Sequence, residues 1–305
     1  MDNVLPDAPV IRTHIADRVG AASARPFDLL HEIGRDCVGA LQFLPQDVDP
    51  ATVDDYSRLE PLSERQVADI LRNLGRTPLG LVRNGPLRIS IAGAQEKTAP
   101  TMVDGVWHIP RGTMATTHIF KPAIGMTHGG LDLSLSAENE LYCLRLLANC
   151  GLSTAKALIA HFEGIRTLVV ERFDRRWRPP SPSAPAYLLR LPQEVFCQAM
   201  GMPRSQKYEV NGGTRAVEIA NVLSSGSGAA EVEHFFLTQT MFWLLAATDG
   251  HAKNFSIYLR KGGALPIHAA LRRGVGGAEP ACRANPRASG QIGHVHQRQA
   301  AGRSD

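Results

Sequence analysis

The stretch best equipped for chemistry is TDGHAKN, residues 248–254. Asp249 precedes Asn254 with the D-x-x-x-x-N spacing of a kinase catalytic loop. In such a loop the carboxylate accepts the proton of an attacking hydroxyl, and the asparagine holds a magnesium ion. Lys253, beside that asparagine, could steady a transferring phosphate, although a polar loop after a buried helix has the same wording. Lys121 ends the strand-like run THIFK, where a lysine can reach phosphate oxygens or simply face water. Glu140 on the helix that follows is a candidate partner for it, with Glu138 and Glu163 as competitors. AGAQEKTA (92–99) has a Gly93 turn whose amides could form an anion nest, or be an ordinary turn. It lacks the second glycine of a Walker loop. VVERFDR (169–175) reads either as a linker offering backbone groups to an adenine, with Glu171 and Phe173 nearby, or as a strand end with solvated charges. Spacing does not choose between them.

These residues need elements to hold them. Periodicity predicts helices at 27–31 and 62–74, the latter stopped by Gly75. RISIAGAQEKTAP (88–100) predicts a short alternating run entering a turn, and WHIP (107–110) and THIFK (117–121) predict strands. The clearest helix covers 134–150, with Ser136 as N-cap, acidic Glu138 and Glu140 in the first turn and Gly151 at its end. LIAHF and RTLVV make a hairpin around Glu163–Gly164. RPPSPSAP (178–185) is an exposed loop. EVFCQAMG (194–201) and HFFLTQTMFWLLAAT (234–248) predict helices, the second apolar nearly all round and therefore buried. Strands with one helix, then mostly helices, predict a two-lobed α+β protein with a boundary near 174–186.

Composition narrows the class. Apolar residues make up 44% and charged residues 20%, as in an ordinary water-soluble domain. No apolar run is long enough to span a bilayer, and the acidic N-terminus MDNVLPDAPVIRTH does not read as a signal peptide. The five scattered cysteines contain no C-x-x-C pair, which argues against a disulfide framework or zinc site and fits a reducing cytoplasm. The net charge of +4 lies wholly in residues 264–305, where six arginines face Glu279 and Asp305. The neutral body therefore offers no basic face for direct DNA binding.

Taken in order, RISIAGAQEKTA, THIFKPAIG, NELYCLRLLA, VVERFDRRW, LLRLPQEVFCQAMG, KYE and ATDGHAKNFSI resemble the blocks of HipA-type serine/threonine protein kinase toxins. LPDAPVIR and PFDLLHEIGRDCVGA resemble that family's N-terminal region, so the likeness spans about residues 4–263. The resemblance implies an α+β, protein-kinase-like bilobal fold: residues 1–175 as N-terminal region and N-lobe, 176–263 as an incomplete helical C-lobe, and 264–305 as a disordered tail. It implies transfer of phosphate from ATP, with Mg2+, to a protein serine on an aminoacyl-tRNA synthetase, typically the glutamyl enzyme. It also implies a HipB-like helix-turn-helix antitoxin as partner, with DNA met only through that antitoxin. By the same resemblance Asp249 is the catalytic base and Asn254 a magnesium ligand. Ala92, Gly93, Ala94, Gln95, Glu96 and Lys97 surround ATP with Lys121, Glu171, Phe173, His251, Ala252, Lys253 and Asn254. Ser90 is the autophosphorylation site that switches the kinase off by ejecting the phosphate loop; spacing alone reads it as a small strand residue.

Two departures temper the likeness. The family's extension before LPDAP is missing, and after GGA (262–264) the family wording YRLTPLYDVLSA gives way to LPIHAALRRG. The family's second magnesium ligand is the Asp of that segment; Arg272 stands at its expected place, and no Asp or Glu lies between Asp249 and Glu279. Residues 267–273 can be encoded ATT CAC GCC GCT CTA CGA CGT, and removal of the first base gives Phe-Thr-Pro-Leu-Tyr-Asp; the expectation is a reading-frame shift near residue 264, with a genuine divergent tail as the alternative. The expectation is a kinase by descent with impaired activity. The rivals are an inactive fragment that still binds ATP or antitoxin, and a small-molecule phosphotransferase, which the GAQEKT, ERFDRRW and KYE blocks oppose.

Overall fold

The computed structural model describes residues 1–49, 56, 59–82, 85–93, 95–127, 129–182, 186–247 and 250–260, and the backbone of 267–268. Asp249, Ala94, Arg272 and, apart from the backbone of 267–268, the expected tail lie outside the described residues.

Three helices open the chain: α1 (Pro9–Val19), α2 (Pro26–Ile33) and α3 (Glu64–Arg72). Proline at the first position of α1 and α2 suits helix starts, because its missing N–H has no partner there anyway. Ser63 and Gln66 cap α3 reciprocally. Strands β1 (Thr101–Val103) and β2 (Val106–His108) form a small hairpin before β3 (His118–Pro122). The short pair β4 (Gly125–Met126) and β5 (Asp132–Leu133) leads into α4 (Ser136–Asn149). Then β6 (Ala157–Phe162) and β7 (Ile165–Glu171) form the expected hairpin, turned by Glu163 and Gly164 with φ of 45° and 80°. β7 lies at the centre of an antiparallel sheet ordered β3-β7-β6.

Beyond the sheet come the pair β8 (Arg175–Arg178) and β9 (Tyr187–Arg190), then β10 (Gln193–Val195) and α5 (Phe196–Ala199). Helices α6 (Ala216–Ser227) and α7 (Ala229–Leu244) follow, with β11 (Ser256–Tyr258) and β12 (Ile267–His268) completing a sheet with β10. Apolar packing falls into separate cores. One sets Val67, Ala68 and Leu71 of α3 against Phe120, Phe162 and Val169 of the central sheet. Another joins Cys143, Leu144 and Leu147 of α4 to Phe196, Phe235, Phe242 and Phe255. Helix α4 belongs to two cores, because Ala137 and Leu141 pack on Leu168 and Val170 of β7.

Several expectations need correction. Residues 88–93 form isolated bridges, Asp36 to Ile89 and Pro6 to Gly93, instead of a regular strand. Ser136 is the first residue of α4, and its hydroxyl accepts from the Ile124 amide instead of capping the helix. EVFCQAMG begins as strand β10, leaving a helix of one turn. Helix α7 buries only Phe235, Thr238 and Phe242, while Phe236, Leu237, Trp243 and Leu244 are exposed. An apolar sequence asks for cover on every face, and the described residues supply it on one.

Candidate functional site

The site begins with Lys121. Register against β7 sets it opposite Leu168, near the end of an edge strand and beside the bridge from Thr98 to Phe120. Its ammonium meets Glu140 Oε1 of α4 at 2.6 Å, both side chains being almost completely buried. The competitors are engaged elsewhere: Glu138 with Arg166 at 2.9 Å and Glu163 with Arg72 at 2.8 Å. An ion pair so desolvated holds only if its geometry is good, and the carboxylate fixes one of three ammonium donors while the others stay directed. Lys121 lines a cleft of about 580 Å³ with Lys97 and Ala92 at the polar end and Val38, Ile91, Ile119, Ala155 and Val170 along its wall. Glu171 to Asp174 close the other side.

The linker after β7 is not a solvated strand end. Arg172, Asp174 and Arg175 are buried and interlocked with Asp36, which lies after α2. Arg172 grips Asp174 through two bonds of 2.9 and 3.0 Å and reaches Asp36 at 3.1 Å. Arg175 donates to Asp36 at 2.6 Å and to the carbonyls of Cys37 and Gly39 at 2.7 and 2.8 Å. Gly39 is required here, since its φ is 73° and a Cβ would meet the Gln193 carbonyl oxygen at 2.6 Å. Burial alone would raise the Asp36 and Asp174 carboxyls, but the surrounding guanidiniums win and hold both below the usual range. Burial, with Asp36 beside it, pushes the Cys37 thiol up to about 12, so it is no nucleophile. The linker amides at Glu171 and Arg172 donate to the carbonyls of Lys156 and Thr117, both at 2.8 Å. Phe173 stacks edge-on with Tyr258, whose hydroxyl donates to the Phe173 carbonyl at 3.1 Å.

The expected residues divide into three places. Ala92, Lys97, Lys121, Glu171 and Phe173 come together around the cleft. Gly93, Gln95 and Glu96 line a second cavity of about 420 Å³ with Pro6, His14, Gly75 and Leu79, and Ile91 and Lys97 border both cavities. Gln95 donates to the Pro122 carbonyl at 3.2 Å, and the Lys97 ammonium folds back onto the Ala92 carbonyl at 3.3 Å. His251, Ala252, Lys253 and Asn254 are buried around a single 3-10 turn and line neither cavity. Ser90 is fully buried, its hydroxyl donating to the Val4 carbonyl at 3.0 Å.

Asp36 and the arginines it holds were missed in the sequence, as was Asp7. Asp7 pairs with both Lys253 and Lys207, the latter at 3.3 Å. The only outward signal was the dense alternation of charge around Phe173, which reads equally well as a wet surface. The lining of the cleft suits a nucleotide, with apolar side chains for a base and lysines for phosphates. For magnesium the fit is not met among the described residues: no three His, Cys, Asp or Glu converge, and Asn254 is the sole expected ligand present there.

A sheet lysine held by a helix glutamate, under a loop on one side and a linker on the other, defines a protein-kinase-like N-lobe. The chain belongs to the HipA family: the HipA-like C-terminal domain matches residues 89–268 and the HipA N-terminal domain matches residues 1–44. It is 36% identical to the putative kinase Y4mE of Sinorhizobium fredii, over 79% of this chain and 56% of that protein. It is 27% identical to the serine/threonine-protein kinase toxin HipA of Shewanella oneidensis, over 87% of this chain and 60% of that one. Among solved structures, Shewanella oneidensis HipA, in a complex with HipB and operator DNA, superposes with a TM-score of 0.68 at 25% identity, covering 89% of this chain and 63% of the other. The chain therefore spans somewhat more than half the length of these relatives.

Proposed function

We propose that this chain carries the ATP site of a serine/threonine protein kinase of the HipA type. The observation that carries the reading is the buried Lys121–Glu140 pair at the polar end of an apolar-walled cleft. When bound, ATP supplies the phosphoryl group. Lys121 and Lys97 hold its phosphate oxygens, the wall from Val38 to Val170 excludes water from the base, and the linker from Glu171 to Phe173 sets the base's depth. Asp249 accepts the proton of the attacking serine hydroxyl, and Asn254 anchors the end of its loop. The protein serine belongs to an aminoacyl-tRNA synthetase, the glutamyl enzyme in the first instance, and Ser90 is the self-modification site. A HipB-like antitoxin is the partner, and DNA is met through it. The solved relative with HipB and operator DNA supports that assignment. No described helix is long and apolar enough to cross a membrane, and the cytoplasm is the proposed compartment.

A second reading has one observation in its favour. No acidic residue lies between Asp249 and Glu279, so the chain as written lacks the carboxylate that would complete a magnesium site, and binding without transfer follows. The test separates the two. Residues 1–305 and a frame-restored version are incubated with labelled ATP, magnesium and glutamyl-tRNA synthetase, and phosphate is located by mass spectrometry. Phosphate placed on a synthetase serine by residues 1–305 supports the kinase reading; nucleotide binding by residues 1–305 with transfer only by the frame-restored version supports the second.

A further inference from the structure

The N-terminal residues 2–7 run between the phosphate loop and the region around the catalytic loop, and they are tied down at both edges. On one edge Pro6 bridges Gly93 in parallel, the Asp7 amide donates to the Gly93 carbonyl at 3.4 Å, and Ser90 bonds Val4. On the other, Asn3 donates to the Met202 carbonyl at 2.8 Å, and Arg204 donates to the Asp7 carbonyl. Asp2 is held by Arg12 and Arg204; burial works against its charge, but these guanidiniums keep its carboxyl below the ordinary value. This anchored strap presents one side chain to the catalytic loop. The Asp7 carboxylate takes Lys253 on one oxygen and Lys207 on the other, and Lys253 is buried.

One residue thus bonds the phosphate loop through its backbone and the catalytic loop through its side chain. A lysine ammonium on a four-carbon stem is a poorly directed phosphate ligand until something fixes one of its donors. Glu140 does this for Lys121 in the cleft. We propose that Asp7 does the same for Lys253: it is a positioning residue that ties this ammonium, which lines neither cavity, to Gly93 in the loop to which the ATP reading assigns the terminal phosphates. The inference rests on the ATP reading above and goes further, because it gives the N-terminal strap a part in reading the triphosphate. The two carboxylate–lysine pairs then divide the work. The pair in the cleft holds any nucleotide phosphate, and the pair on the strap discriminates by phosphate number.

Calorimetric titration of the full 305-residue chain with Mg·ATP and separately with AMP tests this. Asp7→Asn is expected to weaken ATP binding on the order of tenfold, the size of one charge-assisted contact, while AMP binding stays within about twofold. Lys253→Met gives the same loss, the Asp7→Asn/Lys253→Met double variant loses no more than either alone, and Asp7→Glu recovers part of the ATP affinity. Equal losses for ATP and AMP, unchanged ATP binding in Asp7→Asn, or additive losses in the double variant each overturn the positioning role. Should Asp7→Asn fail to fold, Asp7→Glu beside Lys253→Met decides: an ATP-selective loss in both, smaller for Asp7→Glu, supports the proposal, and unchanged ATP binding in Asp7→Glu or an equal loss for AMP overturns it. If the unmodified chain binds no ATP, the functional reading itself falls and this inference with it.

Discussion

Lys121 and Glu140 lie nineteen positions apart in the chain and meet at 2.6 Å, each almost wholly out of water. Helix α4 brings the carboxylate to the lysine because its own apolar face is needed by the sheet that carries the lysine. The pairing is therefore a by-product of packing as well as an instrument of binding.

It follows that neither partner can be neutralised alone without leaving a buried charge. Glu140→Gln and Lys121→Met should each lose about 3–5 kcal/mol of unfolding free energy and weaken ATP binding about tenfold or more. Urea denaturation and nucleotide titration measure the two effects; a Glu140→Gln protein with unaltered stability and ATP affinity would contradict the assignment.

The linker network makes a prediction about acid. Asp36 and Asp174 have folded-state pKa values below the ordinary 3.8, so the folded form binds fewer protons than the unfolded one. Their contribution to stability is full above the ordinary value and fades as pH falls below it toward the folded values. Asp36→Asn should lower stability at neutral pH by about 3–5 kcal/mol and flatten the acid limb of the stability curve. Melting temperatures recorded from pH 7 down to pH 2.5 check both parts, and an acid limb as steep as the parent's would count against the network.

Ser90 offers a contrast between loss and gain of polarity. Ser90→Ala removes a single bond to the Val4 carbonyl and should cost about 1 kcal/mol. Ser90→Asp places a charge where no water reaches, and should free the strap and the loop after it. Limited proteolysis reads the difference: new cleavage near residues 85–93 is expected for Ser90→Asp only.

The outer face of α7 predicts behaviour in solution. Trp243→Ser with Leu244→Ser should leave folding stability within about 0.5 kcal/mol, because both side chains already meet water. Binding of a hydrophobic dye and loss by aggregation should both fall. Phe242→Ala, one position away and buried, should instead cost about 3–5 kcal/mol.

Much of the architecture was legible because local wording and tertiary demand agree. THIFK, the hairpin at Glu163–Gly164 and the helix with Glu140 each have the periodicity and turn chemistry of what they form. The loop at 88–93 was misread since its alternation serves single bridges to distant segments, Asp36 and Pro6, which no local pattern announces. Glu140 could be named in advance only as one candidate partner for Lys121, beside Glu138 and Glu163, because its helix comes soon after the strand. Asp7 and Lys253 could not, being 246 positions apart, and an acidic residue in an N-terminal stretch carries no mark of its partner. The charges of ERFDR look the same in sequence whether they face water or one another.

Helix α4 has a consequence for how the molecule comes apart. Residues 179–182 form an exposed stretch after β8, an easy target for a protease. Yet Cys143, Leu144 and Leu147, on the N-terminal side of that stretch, are packed with Phe196, Phe235 and Phe255 on the other. A single cut there would sever the backbone and leave two fragments that copurify, melt in one transition and separate only in denaturant.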